Sequence, residues 1–145
     1  MTEKTYLVVE DESAAFQAAL HFASHAAKAA QATVTILCIV EPEGIEAWGG
    51  VERALDDEAF DAARRKMVAN EKKVEEITGQ KPVCVYRKGG RRAVLADYLS
   101  QTSGVTALVL GAGPKGTTQS HLIADMVGEK SLSNLPLPLI IVPEK

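Results

Sequence analysis

The sequence predicts an α/β fold, Rossmann-like in its winding: five parallel strands in the order 3-2-1-4-5 with helices on both faces. Three observations predict it. Short β-branched runs alternate with longer amphipathic segments, the pattern of parallel strands joined by covering helices. The runs Thr35-Ile36-Leu37-Cys38-Ile39-Val40 and Ala107-Leu108-Val109-Leu110 are apolar without interruption, as strands buried on both faces are. Finally, 145 residues, 46% hydrophobic and 24% charged, suffice for a single domain spanning 1–145 with one sizeable core.

Taken in order, the first strand covers Thr5 to Glu10. The first helix, about Ser13 to Ala30, places Ala15, Phe16, Ala19, Leu20, Phe22, Ala23, Ala26, Ala27 and Ala30 on one stripe at 100° per residue. Gln17, His21, Ser24, His25 and Lys28 form the opposite stripe. The second strand is Thr33 to Val40. After a long loop, a second helix from near Leu55 to Thr78 carries Phe60, Ala63, Met67, Asn70, Val74 and Ile77 at spacings of three and four, and Gly79 stops it. Asn70 interrupts that apolar seam, so a hydrogen-bonded amide is expected there. The third strand is Pro82 to Lys88, and the third helix uses Val94, Leu95, Tyr98 and Leu99. The fourth strand runs from Val105 to Leu110, with a Gly-rich loop from Gly111 to about Ser120. Leu122, Ile123, Met126, Val127 and Leu132 belong to a fourth helix, and Leu139 to Val142 form the fifth strand.

Composition narrows function. With 16 Lys plus Arg against 19 Asp plus Glu, the net charge of -3 gives no general attraction for nucleic acid or anionic lipid. Aromatic residues make up 5% of the chain, too few for base-stacking platforms. Met1-Thr2-Glu3-Lys4 lacks the basic and apolar regions of a signal peptide, and no apolar run approaches the roughly 20 residues of a membrane helix. The expectation is a cytosolic protein. Cys38 and Cys84 fall inside apolar strands and are expected as buried thiols. His21 and His25 have a metal-compatible i, i+4 spacing, but they lie on the polar stripe without a third ligand, so a solvated face is expected. Arg87, Lys88, Arg91 and Arg92 gather around Gly89-Gly90, a positive patch that reads as a solvated loop at the sheet edge.

In the order 3-2-1-4-5 the winding reverses between strands one and four, where open sheets bind ligands outside the carboxyl ends of their strands. Two loops meet there: Glu10-Asp11-Glu12-Ser13 and the segment from Gly111. In Gly111-Ala112-Gly113-Pro114-Lys115-Gly116-Thr117-Thr118 the glycines expose backbone N–H groups, Lys115 adds charge, and Thr117, Thr118 and Ser120 add hydroxyls. That chemistry suits a phosphate, and equally a plain strand-to-helix connection. Asp11 suits an adenine or ribose contact, or a helix cap. The candidate ligand residues are therefore Asp11, Gly111, Gly113, Lys115, Gly116, Thr117, Thr118 and Ser120. Gly111, Gly113 and Gly116 meet the spacing of a dinucleotide fingerprint, but after the wrong strand and around Pro114. Thr117 stands where a P-loop needs Lys. No nucleophile with a paired base is visible, so no turnover is predicted.

Over nearly its whole length the chain resembles the universal stress proteins. The resemblance is carried by Tyr6-Leu7-Val8-Val9-Glu10-Asp11-Glu12-Ser13, by Ile36-Leu37-Cys38-Ile39-Val40-Glu41-Pro42, by Leu108-Val109-Leu110-Gly111, and by Pro138-Leu139-Ile140-Ile141-Val142. It implies the fold of the adenine nucleotide alpha-hydrolase-like group, a role in stress response, and a homodimer through the C-terminal strand. In one branch of the family it implies ATP or AMP, with Mg, between strands one and four. The phosphate motif of that branch, G-x2-G-x9-G-[ST], falls from Gly111 onto Pro114, Ala124 and Asp125. Pro114 has no N–H and Asp125 repels phosphate, so weak triphosphate binding is expected. The alternative is a dimeric interaction protein that binds no nucleotide.

Overall fold

The computed structural model describes residues 4–41, 50–128 and 135–144, with side chains in the second segment from 57 onward. The strands are β1 (Thr5–Val9), β2 (Thr33–Val40), β3 (Val83–Lys88), β4 (Val105–Ala112) and β5 (Leu139–Pro143). The helices are α1 (Ala14–Ala30), α2 (Gly50–Thr78), α3 (Arg91–Gln101) and α4 (Thr118–Val127). The five strands form one parallel sheet in the order β3-β2-β1-β4-β5, as the alternation of patterns predicts.

Each face of the sheet carries its own apolar layer. Val8, Ile36, Cys38 and Val109 point to one side, where Phe16, Leu20, Ala23 and Ala27 of α1 and Met67 and Val74 of α2 cover them. Leu7, Val9, Leu37, Leu108 and Leu110 point to the other, under Leu95 of α3 and Leu122 of α4. This alternation along each strand is the period of two that the pleat imposes. Because α1 and α4 lie on opposite faces while β1 and β4 are neighbours, the two connections diverge at the carboxyl ends of those strands. That divergence makes the crevice.

Several boundaries and faces differ from the sequence expectation. β1 ends at Val9 and β4 continues to Ala112. α4 begins at Thr118, inside the segment read as loop, because Thr117 caps it by accepting the Ser120 N–H at 3.1 Å. On α1, Phe22 is 40% exposed while Ser24 is buried. The stripe centres on Phe16, Leu20, Ala23 and Ala27, so Phe22 falls outside it. The Ser24 hydroxyl enters the interior satisfied, donating to the Leu20 carbonyl at 2.7 Å. Asn70 is buried and accepts from Gln17 Nε2 at 3.0 Å, as its place in the seam predicts. Gly79 ends α2, its N–H returning to the Glu75 carbonyl at 2.8 Å. Leu132, expected in the fourth helix, lies outside the described residues, as do the Leu55 side chain and Pro42.

Candidate functional site

The site is built from the carboxyl ends of β1 and β4. After Val9 the chain leaves the sheet, and Asp11 turns back on it. Asp11 Oδ1 accepts the Ser13 N–H at 2.8 Å and also a short hydrogen bond from the Ser13 hydroxyl. Ser13 in turn caps α1, its Oγ accepting the Phe16 N–H at 3.1 Å. The other carboxylate oxygen, Oδ2, accepts the backbone N–H of Gln119 at 3.1 Å, in the first turn of α4. One carboxylate thus serves two helix N-termini, where the partial positive charge of the exposed amides favours an anion.

Behind it lies a residue that sequence reasoning missed. Gln119 is fully buried. Its Oε1 accepts the Gly111 N–H at 2.9 Å, and its Nε2 donates to the Val9 carbonyl at 2.7 Å. The side-chain amide therefore bridges the last peptide of β1 to β4 and fills the space between the two strand ends. A signal was present: Gln119, Leu122, Ile123 and Met126 share one helical stripe, so a polar residue sits at an interior position.

Gly111 has a packing reason to be glycine. A Cβ there would stand 1.9 Å from the Ala15 carbonyl oxygen, and one on Gly113 would stand 2.7 Å from Ala15 Cβ. The start of the Gly-rich turn is pressed against the first turn of α1. Beyond it the chain opens. Gly116 takes a φ of 95°, and Lys115 and Gly116 are exposed. Among the described residues the N–H groups of Gly113, Lys115 and Gly116 meet no acceptor.

The candidate residues thus divide. Asp11, Gly111, Thr117 and Ser120 are engaged in internal hydrogen bonds, Thr117 and Ser120 with each other. Gly113, Lys115, Gly116 and Thr118 border solvent, Gly113 and Thr118 only in part. All lie beyond the carboxyl ends of β1 and β4, where Gln119 links Asp11 to Gly111.

Glu10 and Cys38 flank this point on the α1 side. The Cys38 thiol donates to Glu10 Oε2 at 3.7 Å. Burial, and then the charge of Asp11, hold the Glu10 carboxyl above its ordinary value. Burial pushes the Cys38 thiol up to about 12 and the Cys84 thiol up to about 11. Both are free thiols that stay protonated near neutrality, so neither is a nucleophile there.

The basic patch sits apart, at the β3–α3 corner. Arg91 pairs with Glu41 at 3.0 Å, Arg87 donates to the Tyr86 carbonyl at 3.0 Å, and Arg92 is exposed. Glu41, Gly90, Arg91, Arg92 and Asp125 border an open groove of about 720 Å³.

The sequence profile of the universal stress protein family matches residues 3–143. The chain belongs to the universal stress protein family. Solved universal stress proteins share its fold. UspA from Lactobacillus plantarum is 19% identical, with a TM-score of 0.72 over 98% of this chain and 99% of that one. A family member from Burkholderia pseudomallei is 18% identical, with a TM-score of 0.64 over 98% and 97%. A universal stress protein solved in complex with cAMP is 16% identical, with a TM-score of 0.57 over the whole of both chains. At these identities the likeness establishes the fold alone. No curated protein matches the sequence. Among the described residues no helix of this family member is long and apolar enough to cross a membrane.

Proposed function

We propose that this universal stress protein is a cytoplasmic, homodimeric stress-response module that takes an adenine nucleotide, ATP or AMP, or another small anion at the carboxyl ends of β1 and β4. The observation that carries the reading is the turn from Gly113 to Gly116, which has three N–H groups without acceptors among the described residues and an exposed Lys115, and which Thr117 closes onto the Pro114 carbonyl. Free N–H donors and a positive side chain are the chemistry that a phosphate takes. The cAMP complex of a structural neighbour is compatible with it.

The same geometry limits the ligand. Asp11 already occupies α4's first-turn amide, and Pro114 offers no donor. A long phosphate chain therefore finds few partners. Both Asp11 oxygens accept hydrogen bonds, so Mg would arrive on the nucleotide's phosphates. No catalytic set is assigned.

Calorimetric titration with AMP and with Mg-ATP tests this. The expected result is weak binding of both, within roughly tenfold of each other, and loss of at least half the phosphate-dependent gain in Lys115→Ala. Submicromolar Mg-ATP binding overturns the limit on phosphates. Absence of heat with either ligand at millimolar concentration overturns nucleotide binding, and favours the second reading, an interaction protein without nucleotide. The observation behind that reading is Gln119, which already fills the space between the strand ends.

A further inference from the structure

We infer that α1 carries a transition-metal site of its own, formed by His21 and His25 and selective for copper(II), nickel(II) and zinc(II) over magnesium and calcium. The two imidazoles lie one helical turn apart on the exposed face, their ring centroids 4.5 Å apart in an edge-on arrangement. Neither ring has a hydrogen-bond partner among the described residues, so their nitrogens are uncommitted. The exposure expected from the sequence is what leaves them free.

Geometry and chemistry agree on the metal class. Imidazole nitrogens bind borderline ions at about 2.0–2.1 Å, which sets two nitrogens on one ion roughly 3 Å apart. Rings with centroids at 4.5 Å reach that separation by side-chain rotation, without moving the helix. Hard cations need carboxylate or carbonyl oxygen, and α1 has no Asp or Glu from Ala14 to Ala30. Nearby oxygens are committed: Ser24 Oγ donates to Leu20, and Gln17 Oε1 accepts from Lys73 Nζ at 2.6 Å. The site is therefore two nitrogens completed by water.

The surroundings set a ceiling on affinity. Lys28 follows on α1, and Lys73 of α2 lines the groove beside His21. These charges oppose a cation, and the ordering Cu above Ni and Zn follows the intrinsic stability series. The second imidazole acts intramolecularly once the first has bound, so each ring depends on the other. The ligand pair exists only while α1 is helical, so metal binding stabilises the helix by linkage.

Titration of the full chain with nickel(II) alone tests this, with His121 as an internal control. It is the third histidine of the chain and lies on α4. The expected result is one saturable equivalent, weakened roughly tenfold or more by His21→Ala and by His25→Ala alike, and unchanged by His121→Ala. Nickel should also raise the melting temperature of the parent and not of the two α1 variants. Both substitutions are at exposed positions and introduce the best helix former, so the variants fold. No saturable uptake at millimolar nickel, or uptake indifferent to His21 and His25, overturns the site.

Discussion

Asp11 illustrates how one side chain meets two demands that the sequence states separately. Its position after the first strand reads both as a helix cap and as a ligand contact, and its geometry shows why these compete. A carboxylate that accepts from Ser13 and from Gln119 already neutralises the two helix ends that face the crevice. Glu10 beside it has the opposite problem. It is half-buried, its hydrogen-bond donor is a thiol, and the adjacent carboxylate repels it, so its pKa rises above 4.5. Glu12 adds to the repulsion and Lys66 opposes it. The folded protein therefore keeps the Glu10 proton at pH values where the unfolded chain has released it. The stability this group contributes is complete below its unfolded pKa and is lost as pH rises through the folded one. Glu10→Gln should remove that loss. Urea midpoints of the variant and parent should agree best near about pH 4 and diverge in the variant's favour toward about pH 7. An unchanging difference across that range would show that the Glu10 charge is compensated.

Among the elements, the strands were the most legible, since uninterrupted aliphatic runs have few alternatives to a buried parallel sheet. α4 was the least. Its first turn is written in Gly, Pro and Thr, a composition shared by caps and loops, and only the Thr117 hydroxyl on the Ser120 N–H decides between them. Alanine on most faces of α1 blurs its apolar stripe, so periodicity alone takes in Phe22, which is exposed. The helical stripe marks Gln119 as interior, but its partners are backbone groups of strands far away in sequence, which no local pattern reveals. Its role is to lock β1, β4 and α4 together. Replacing it with Leu keeps roughly the volume and strands the Val9 carbonyl and the Gly111 N–H without partners. An unpaired buried backbone group costs about 1–3 kcal/mol. Gln119→Leu should therefore destabilise the fold by about 2–4 kcal/mol in urea unfolding. A change within about 0.5 kcal/mol would mean that water replaces the amide and that the crevice is wetter than its packing indicates.

At the scale of the whole molecule the two edges of the sheet are unlike. β3 ends in Arg87 and Lys88, charges that discourage strand pairing. β5 pairs with β4 on one side alone, and among the described residues its other side is bare, with Ile141 43% exposed. Its only blunting device within the strand is Pro143 at the end. An aliphatic edge with open N–H and C=O groups is satisfied most simply by a second copy running antiparallel across a twofold axis, the commonest symmetry of soluble oligomers. Light scattering should then give a mass near twice 15.5 kDa. Ile141→Lys should return it toward the single chain, because the exposed position tolerates Lys in the folded monomer while two copies would bring like charges together across the axis. A parent protein that stays monomeric at micromolar concentration would refute the pairing, and would require another segment to cover β5.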